Sequence, residues 1–563
     1  MIINDNKEFE ERADFINKDD LSNWTAENEH FENIQRKIIE KGAKLIVGPR
    51  GTGKTHQFRM AYYSCLFENK APIAIYVSFG KYYRLEPLLF NSSNAIAIFH
   101  TWVLSKIIYS CYKALGLLEI EDDELIYSNV LSKDKLKSFI ELAERYDSIP
   151  EYDDLIKFLS IQKTIDILNH LKELAKRKRI IVLLDDAALT LTPDYMIEFF
   201  DIFRSLKTTT ISPKASVYPG TTQYGPRFHI GQDAEEVSIW LSVDNSSYSN
   251  FMDTLLKKRF ADDNIDIPNE IVEILKFAAF GIPRAFISLL RDYNNDTGTT
   301  IQQKFNNIIN NRKNLLTNEY KSFILKLPQY SSIINIGYEL FETIIKEITK
   351  ANKDDIQEKQ INIGLLIENG QFYREDRMIR FLIEAGLLYK TSELHDGPDR
   401  IFNRYIPHFL FLIQNRAFSN SKGFNAKDIL SNIKKKTNKR PLRRQFSTLL
   451  LPEQISRVKL DLPVCKKCGT ARLTDEQKFC HHCGNPLIGQ SAFELCLKIK
   501  IDELPITKWQ KEKIKNETSF NSIEDIFISQ SPVSELKKAK GIGDKKSGDI
   551  MKVVNEILDE FLS

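Results

Sequence analysis

Eight residues near the amino terminus constrain this chain more than any others. Gly48 to Thr55 read GPRGTGKT, after the apolar run Leu45-Ile46-Val47 and before KTHQFRMAYYSCLF, whose apolar residues recur at helical spacing. Glycines at 48, 51 and 53 let a short loop turn tightly, so that successive backbone N–H groups curl around an anion at the positive end of the following helix. Strand, loop and helix in this order make the phosphate-binding unit of an α/β P-loop NTPase core, a parallel sheet flanked by helices. Gly48, Pro49, Arg50, Gly51, Thr52, Gly53, Lys54 and Thr55 are therefore the expected nucleotide-binding residues. Lys54 reaches the β/γ oxygens and Thr55 offers a hydroxyl to Mg²⁺, which makes ATP and Mg²⁺ the expected cofactors.

Such a loop needs a carboxylate from a second strand. RIIVLLDDAAL supplies it: Ile180 to Leu184 are apolar without interruption, as in a strand buried on both faces, and Asp185 and Asp186 follow. Asp185 is placed to hold the Mg²⁺ shell and Asp186 to orient the attacking water. APIAIYVSF reads as a further strand, and KASVYPGTT as another, ending in Thr221 and Thr222 where the γ-phosphate would lie. Sites in such sheets form at the carboxyl ends of the strands.

These motifs, followed by a helical segment with FGIPRAFISLL, resemble the AAA+ class and within it the origin-recognition-complex-like ATPases of prokaryotes. The resemblance spans roughly Lys44 to Arg416. It implies a lid helix whose Arg284, after Gly281 and Pro283, senses the nucleotide, and a polar sensor at Thr221 or Thr222. The catalytic set implied is Lys54, Asp185, Asp186, Thr221 and Arg284. It also implies a homo-oligomer in which an arginine finger, Arg227 or Arg204, reaches a neighbour. Two departures stand out. Asp186 replaces the usual glutamate and is a methylene shorter, consistent with slow or partner-stimulated hydrolysis. The long interval between Lys54 and Asp185 implies a helical insertion at about 91–176, which also fits the wider group of additional-strand ATPases, including the signal-transducing STAND proteins.

At 563 residues, 42% hydrophobic and 28% charged, the chain is expected to be globular with several cores. No basic segment leads into an apolar run at the start, and no uninterrupted apolar stretch has the length of a membrane span, so the expected setting is cytoplasmic with no membrane partner. The expected divisions are a helical amino-terminal segment (1–40), the P-loop core (41–243), a helical lid (244–311), a winged-helix-like domain (312–420), a basic linker (421–460), a zinc ribbon (461–490) and a helix-hairpin-helix domain (491–563). The winged-helix expectation rests on DRMIRFLIEAGLL, a helix, followed by two short extended runs around HDGPD.

Charge is divided along the chain. From Ser421 onward 27 Lys and Arg face 18 Asp and Glu, net +9, whereas the first 420 residues carry net −6. The rear section is where DNA or another polyanion would bind. KKKTNKRPLRR concentrates Lys434, Lys435, Lys436, Lys439, Arg440, Arg443 and Arg444. Next come Cys465-x2-Cys468 and Cys480-x2-Cys483, a glycine after each pair, the spacing of a closed four-thiolate Zn²⁺ site. Four sulfurs fill the shell, leaving His481 and His482 as bystanders, and Cys65, Cys111 and Cys496 read as small buried residues. Leu536, Gly541, Ile542, Gly543, Ser547 and Ile550 follow a helix-hairpin-helix pattern beside Lys545 and Lys546, and the segment resembles the carboxyl-terminal domain of the RNA polymerase alpha subunit. Three functions remain open on these residues: an ATPase whose nucleotide state controls DNA binding or remodelling; a STAND-type signalling or anti-phage defence ATPase that oligomerises and recruits a separate effector; and an ATP-binding scaffold without significant turnover.

Overall fold

The structure, a computed structural model, describes residues 13, 16–80, 85–86, 88–91, 94–121, 131–144, 152–186, 193–220, 222, 224–260, 267–355, 357–366, 372–397, 400–420, 423–439, 441–462, 464–465, 467–473, 477, 479–485, 487, 496–529 and 531–562. Two short helices, α1 (Lys18–Asn23) and α2 (Glu29–Ile39), lead into a parallel five-stranded sheet. Its strands are β1 (Lys44–Val47), β2 (Ile73–Ser78), β3 (Ile180–Asp185), β4 (Ile211–Val217) and β5 (Glu235–Ser238), in the spatial order β2-β3-β4-β1-β5. β3 is buried along its whole length, as its unbroken apolar run requires. β1 leads into α3 (Lys54–Phe67), so the glycine loop sits at the carboxyl end of the sheet.

Between β2 and β3 lie α4 (Leu88–Asn91), α5 (Ala95–Leu117), α6 (Lys133–Ala143), α7 (Asp153–Phe158) and α8 (Ile161–Leu174). α5 is long and apolar enough to cross a membrane by length and composition, but Trp102, Leu104, Ile107 and Ile108 are fully buried and it packs on β2, α6 and α8. α9 (Pro193–Ser205) follows β3 and packs on β4.

After β5 a helical region comprises α10 (Tyr248–Arg259), α11 (Asn269–Ala278), α12 (Pro283–Asn295), α13 (Ile301–Lys326) and α14 (Ser331–Asp354). Then come β6 (Lys359–Gln360), β7 (Ile363–Leu366), α15 (Phe372–Glu384), β8 (Leu388–Lys390), β9 (Leu394–His395), β10 (Ile401–Pro407) and α16 (Phe409–Gln414). β10 pairs antiparallel with β7, β8 and β9, so α15 lies between the first strand of a small sheet and its hairpin.

The basic stretch read from sequence as a linker is folded. α17 (Ala426–Lys434) packs on α11, β11 (Lys436–Thr437) pairs with β6, and β12 (Leu442–Arg444) adds a parallel strand to β7. Its apolar residues drive this: Ile429, Ile433, Leu449 and Leu450 are buried in the same core as the helical region. Arg443 pairs with Asp396 at 2.9 Å and Arg444 with Glu347 at 2.8 Å, while Lys434, Lys435 and Lys439 stay exposed.

Farther on, helices Lys508–Glu517, Ile523–Ile528, Pro532–Leu536 and Asp544–Leu562 form a small helical unit. Between the last two, Gly541 has φ +94° and lies so near Trp509 that a Cβ there would be 3.1 Å from the indole ring. Lys546 Nζ donates to Gly541 O at 3.1 Å and sits 4.4 Å from the Trp509 ring centroid.

Candidate functional site

Three segments meet at the carboxyl end of β1. The loop itself uses left-handed backbone at Gly51 (φ +78°) and Gly53 (φ +94°), and Thr52 Oγ1 donates to Pro49 O at 2.8 Å to close it. Gly53 caps α3 without a side-chain hydrogen bond, leaving the first N–H groups of that helix to whatever enters the loop. Lys54 Nζ donates to Gly48 O at 2.6 Å and Pro49 O at 3.1 Å, and lies 4.0 Å from the centre of the Tyr218 ring. Burial pulls Lys54 down to about 7; the carboxylates of Asp186 and Asp185 oppose this and the guanidinium groups of Arg50 and Arg284 reinforce it. Four other sequence-derived candidates thus act electrostatically on Lys54.

The second segment is the end of β3. Asp185 is fully buried. Its Oδ1 accepts from Ser216 Oγ at 2.7 Å and from Asp186 N at 3.1 Å, and its Oδ2 accepts from Tyr76 OH at 2.9 Å. Asp186 N also donates to Ser216 Oγ at 2.9 Å. Asp186 has φ +54°, a left-handed conformation that aspartate tolerates better than most residues and that turns the chain sharply as it leaves the strand. Ser216 and Tyr76, on the two strands flanking β3, were missed by the sequence reading. The available signal was a hydroxyl in KASV at the position beside the strand-end carboxylate.

The third segment is the start of α12. Phe280 (φ +54°) and Gly281 (φ +76°) turn the chain into Pro283 at the first helical turn. A Cβ on Gly281 would lie 2.1 Å from Leu241 O, so only glycine fits. Trp240 Nε1 donates to Phe280 O at 2.7 Å and Gly281 N donates to Tyr248 OH at 3.0 Å, fixing this turn. As a result Arg284 N donates to Gly51 O at 3.3 Å, and a Cβ on Gly51 would be 2.9 Å from Arg284 Cβ.

Other candidates lie differently. Thr222 Oγ1 donates to Tyr218 O at 2.8 Å and accepts from Tyr218 N at 3.3 Å, so its hydroxyl closes the turn after β4. Thr221 lies outside the described residues. Arg227 pairs with Asp201, and Arg204 approaches the same carboxylate at 4.0 Å. The amino-terminal segment, expected from sequence to be helical but given no role, also reaches this region. Thr25 Oγ1 is 2.9 Å from His56 Nε2 on α3, His30 Nε2 donates to Ile239 O at 3.2 Å beyond β5, and Arg259 of α10 lies 4.1 Å over the Trp24 ring. Burial, reinforced by Arg259 and Arg59, holds His56 down to about 4, so its ring is neutral near pH 7.

The four sulfurs of Cys465, Cys468, Cys480 and Cys483 lie within 4.8 Å of one another, with Cys465–Cys483 and Cys468–Cys480 both 3.5 Å apart. A tetrahedron of sulfurs bonded to zinc at about 2.3 Å has edges of about 3.8 Å, so the set fits Zn²⁺. Gly469 and Gly484, both left-handed, let each pair turn back: Gly469 N donates to Cys465 O and Gly484 N to Cys480 O.

A strand-loop-helix phosphate cradle at the end of β1, with the buried Asp185 and the half-buried Asp186 at the end of β3, defines a P-loop nucleotide-binding module. Residues 9–208 match the ORC-CDC6-like family. Among solved structures it is similar to the Walker-type ATPase PABY2304 of Pyrococcus abyssi, with 14% identity and a TM-score of 0.40 over 73% of this chain and 99% of that one. It is also similar to the Aeropyrum pernix ORC1 protein in complex with DNA (13% identity, TM-score 0.29, 70% of this chain and 93% of that one). The Aeropyrum pernix ORC2 protein, in ADPNP-ADP complexes, gives 11% identity and a TM-score of 0.30 over 73% and 93%. A search of curated proteins returned no match.

Proposed function

We propose that this chain binds and hydrolyses ATP and uses its nucleotide state to control DNA binding through its rear section. One observation carries the reading: Arg284 at the start of α12 lies against Gly51 of the loop before α3, and the carboxylates of Asp185 and Asp186 act on the buried Lys54 of the same loop. In this reading the backbone N–H groups of residues 50–55 and the Lys54 ammonium bind the phosphates. Phosphate takes the ammonium from the carbonyls of Gly48 and Pro49. Thr55 and Asp185 would hold Mg²⁺, which neutralises phosphate charge when bound. Ser216 and Tyr76 hold the Asp185 carboxylate in orientation, and Asp186 aligns the attacking water. Arg284 reports the phosphates to the helical region. Arg227 or Arg204, released from Asp201, would serve a neighbouring subunit. Cys465, Cys468, Cys480 and Cys483 would hold a structural Zn²⁺ without an open position.

DNA contact falls to exposed lysines: Lys434, Lys435 and Lys439 on the folded basic stretch, and Lys537, Lys538, Lys540, Lys545 and Lys546 around the Gly541 hairpin. Contacts of this kind are to phosphate and weaken steeply with salt. Fluorescence anisotropy with labelled duplex DNA, with and without Mg-ATP at two salt concentrations, tests the proposal. Salt-sensitive binding that changes with ATP supports it. ATP-driven growth in molecular mass without DNA affinity would replace it with the signalling reading.

A further inference from the structure

The carboxyl-terminal end of α15 lies beside the nucleotide site. Asp376, Arg380 and Glu384 recur every fourth residue, on one side of the helix, opposite Met378, Phe381 and Leu382 in the core. That stripe packs on the turn after β4. Gly220 is so close that a Cβ there would fall 2.3 Å from Arg380 O, 2.7 Å from Glu384 Cβ and 2.8 Å from Glu384 Oε2. The turn that follows α15 continues the contact: a Cβ on Gly386 would be 3.4 Å from Ile282 Cδ1, before Arg284, and 3.9 Å from Pro49 Cβ in the phosphate loop. Beyond it, Tyr389 stacks edge-on against Trp240 with ring centres 4.8 Å apart, the same tryptophan that fixes the Gly281 turn. The Glu384 carboxylate acts on Tyr218 together with Asp185, Asp186 and Arg50, and Tyr218 is the ring on which the Lys54 ammonium rests.

We propose that Glu384 and the 384–389 turn form a latch that holds α15 against the nucleotide site, and that a bound triphosphate loosens it. The inference rests on the nucleotide-site reading above. Its physics is like-charge repulsion: Glu384 is the third carboxylate acting on Tyr218, Arg50 acts on the same ring with the opposite sign, and Arg50 lies in the loop that binds the phosphates. A triphosphate draws that cationic loop to itself and adds negative charge beside Glu384. Gly220 makes the closed arrangement possible, since any larger residue would push on Arg380 O.

Hydrogen exchange of residues 372–390 in the full chain, with and without Mg-ATP, tests this alongside ATP affinity from a fluorescent ATP analogue. In the wild type, Mg-ATP raises exchange in 372–390 by about tenfold or more. Glu384→Gln keeps the shape, binds ATP a few-fold more tightly and loses most of that response. Gly220→Ala, whose methyl wedges against Arg380 O, exchanges quickly with or without ATP. If the wild type binds ATP while exchange in 372–390 stays unchanged or slows, or if Glu384→Gln responds as the wild type does, the latch is refuted and the nucleotide site stands. If neither the wild type nor Gly220→Ala binds ATP, the nucleotide-site reading fails and the latch fails with it.

Discussion

Raising the pH from 7 to 9 should weaken ATP binding far more than the titration of the nucleotide alone allows. Lys54 is buried against the carbonyls of Gly48 and Pro49 and held down to about 7, against an ordinary 10.5. That gap amounts to about 5 kcal/mol between its charged and neutral forms. Phosphate oxygens reverse the cause, supplying negative charge and hydrogen-bond acceptors that favour the ammonium. The sign follows: the complex binds more protons than the free protein wherever the pH lies between the two values, so affinity falls as pH rises through 7. If the bound lysine returns to its ordinary value, affinity drops by about fifty-fold between pH 7 and pH 9, and binding at pH 8 takes up about 0.9 proton. Isothermal titration calorimetry in two buffers of different ionisation enthalpy measures both quantities. Lys54→Arg, which does not titrate in this range, should bind weakly but with a flat profile. Affinity for the wild type that stays constant from pH 7 to 9, with no proton uptake, would refute the argument that burial and phosphate set the charge on Lys54.

Asp186→Asn should retain ATP binding and lose turnover by about 100-fold or more in a phosphate-release assay. Asparagine accepts the left-handed backbone at this position, so a fold change cannot account for the loss; unchanged turnover would move the catalytic role elsewhere. Gly281→Ala places a methyl on Leu241 O at φ +76° and should destabilise the helical region by about 1–3 kcal/mol, read as a lower melting temperature; an unchanged transition would contradict the packing at that turn. Purified protein should carry a single zinc, and a strong chelator should increase hydrogen exchange at 465–485 while ATP affinity stays the same. Loss of both together would show the ribbon to be coupled to the nucleotide site.

Residues whose role is local were legible in the sequence. The glycine loop, the unbroken apolar run of β3 and the Gly-Ile-Pro-Arg turn each announce themselves, because backbone freedom and burial act through the residues themselves. β5 escaped notice because Glu235-Glu236-Val237-Ser238 is exposed and acidic; it is a strand through its pairing with β1, where Glu235 meets Lys44. Ser216 was hidden inside a strand pattern, and its part is visible only once β4 lies beside Asp185. The basic stretch hid its apolar anchors Ile429, Ile433, Leu449 and Leu450 among lysines and arginines, so its packing on α11 and its strand beside β7 came only from the tertiary structure. The contact of α15 with the turn after β4 depends on the missing side chain of Gly220, some 160 residues earlier in the chain, and no local pattern encodes it.

Equilibrium titration of Mg-ATP into the wild-type chain and into Lys54→Ala is the most direct test. The arrangement of loop, carboxylates and Arg284 predicts saturable binding to the wild type and none to the variant, with exchange in 465–485 the same in both. Equal ATP affinity in the two proteins would contradict it.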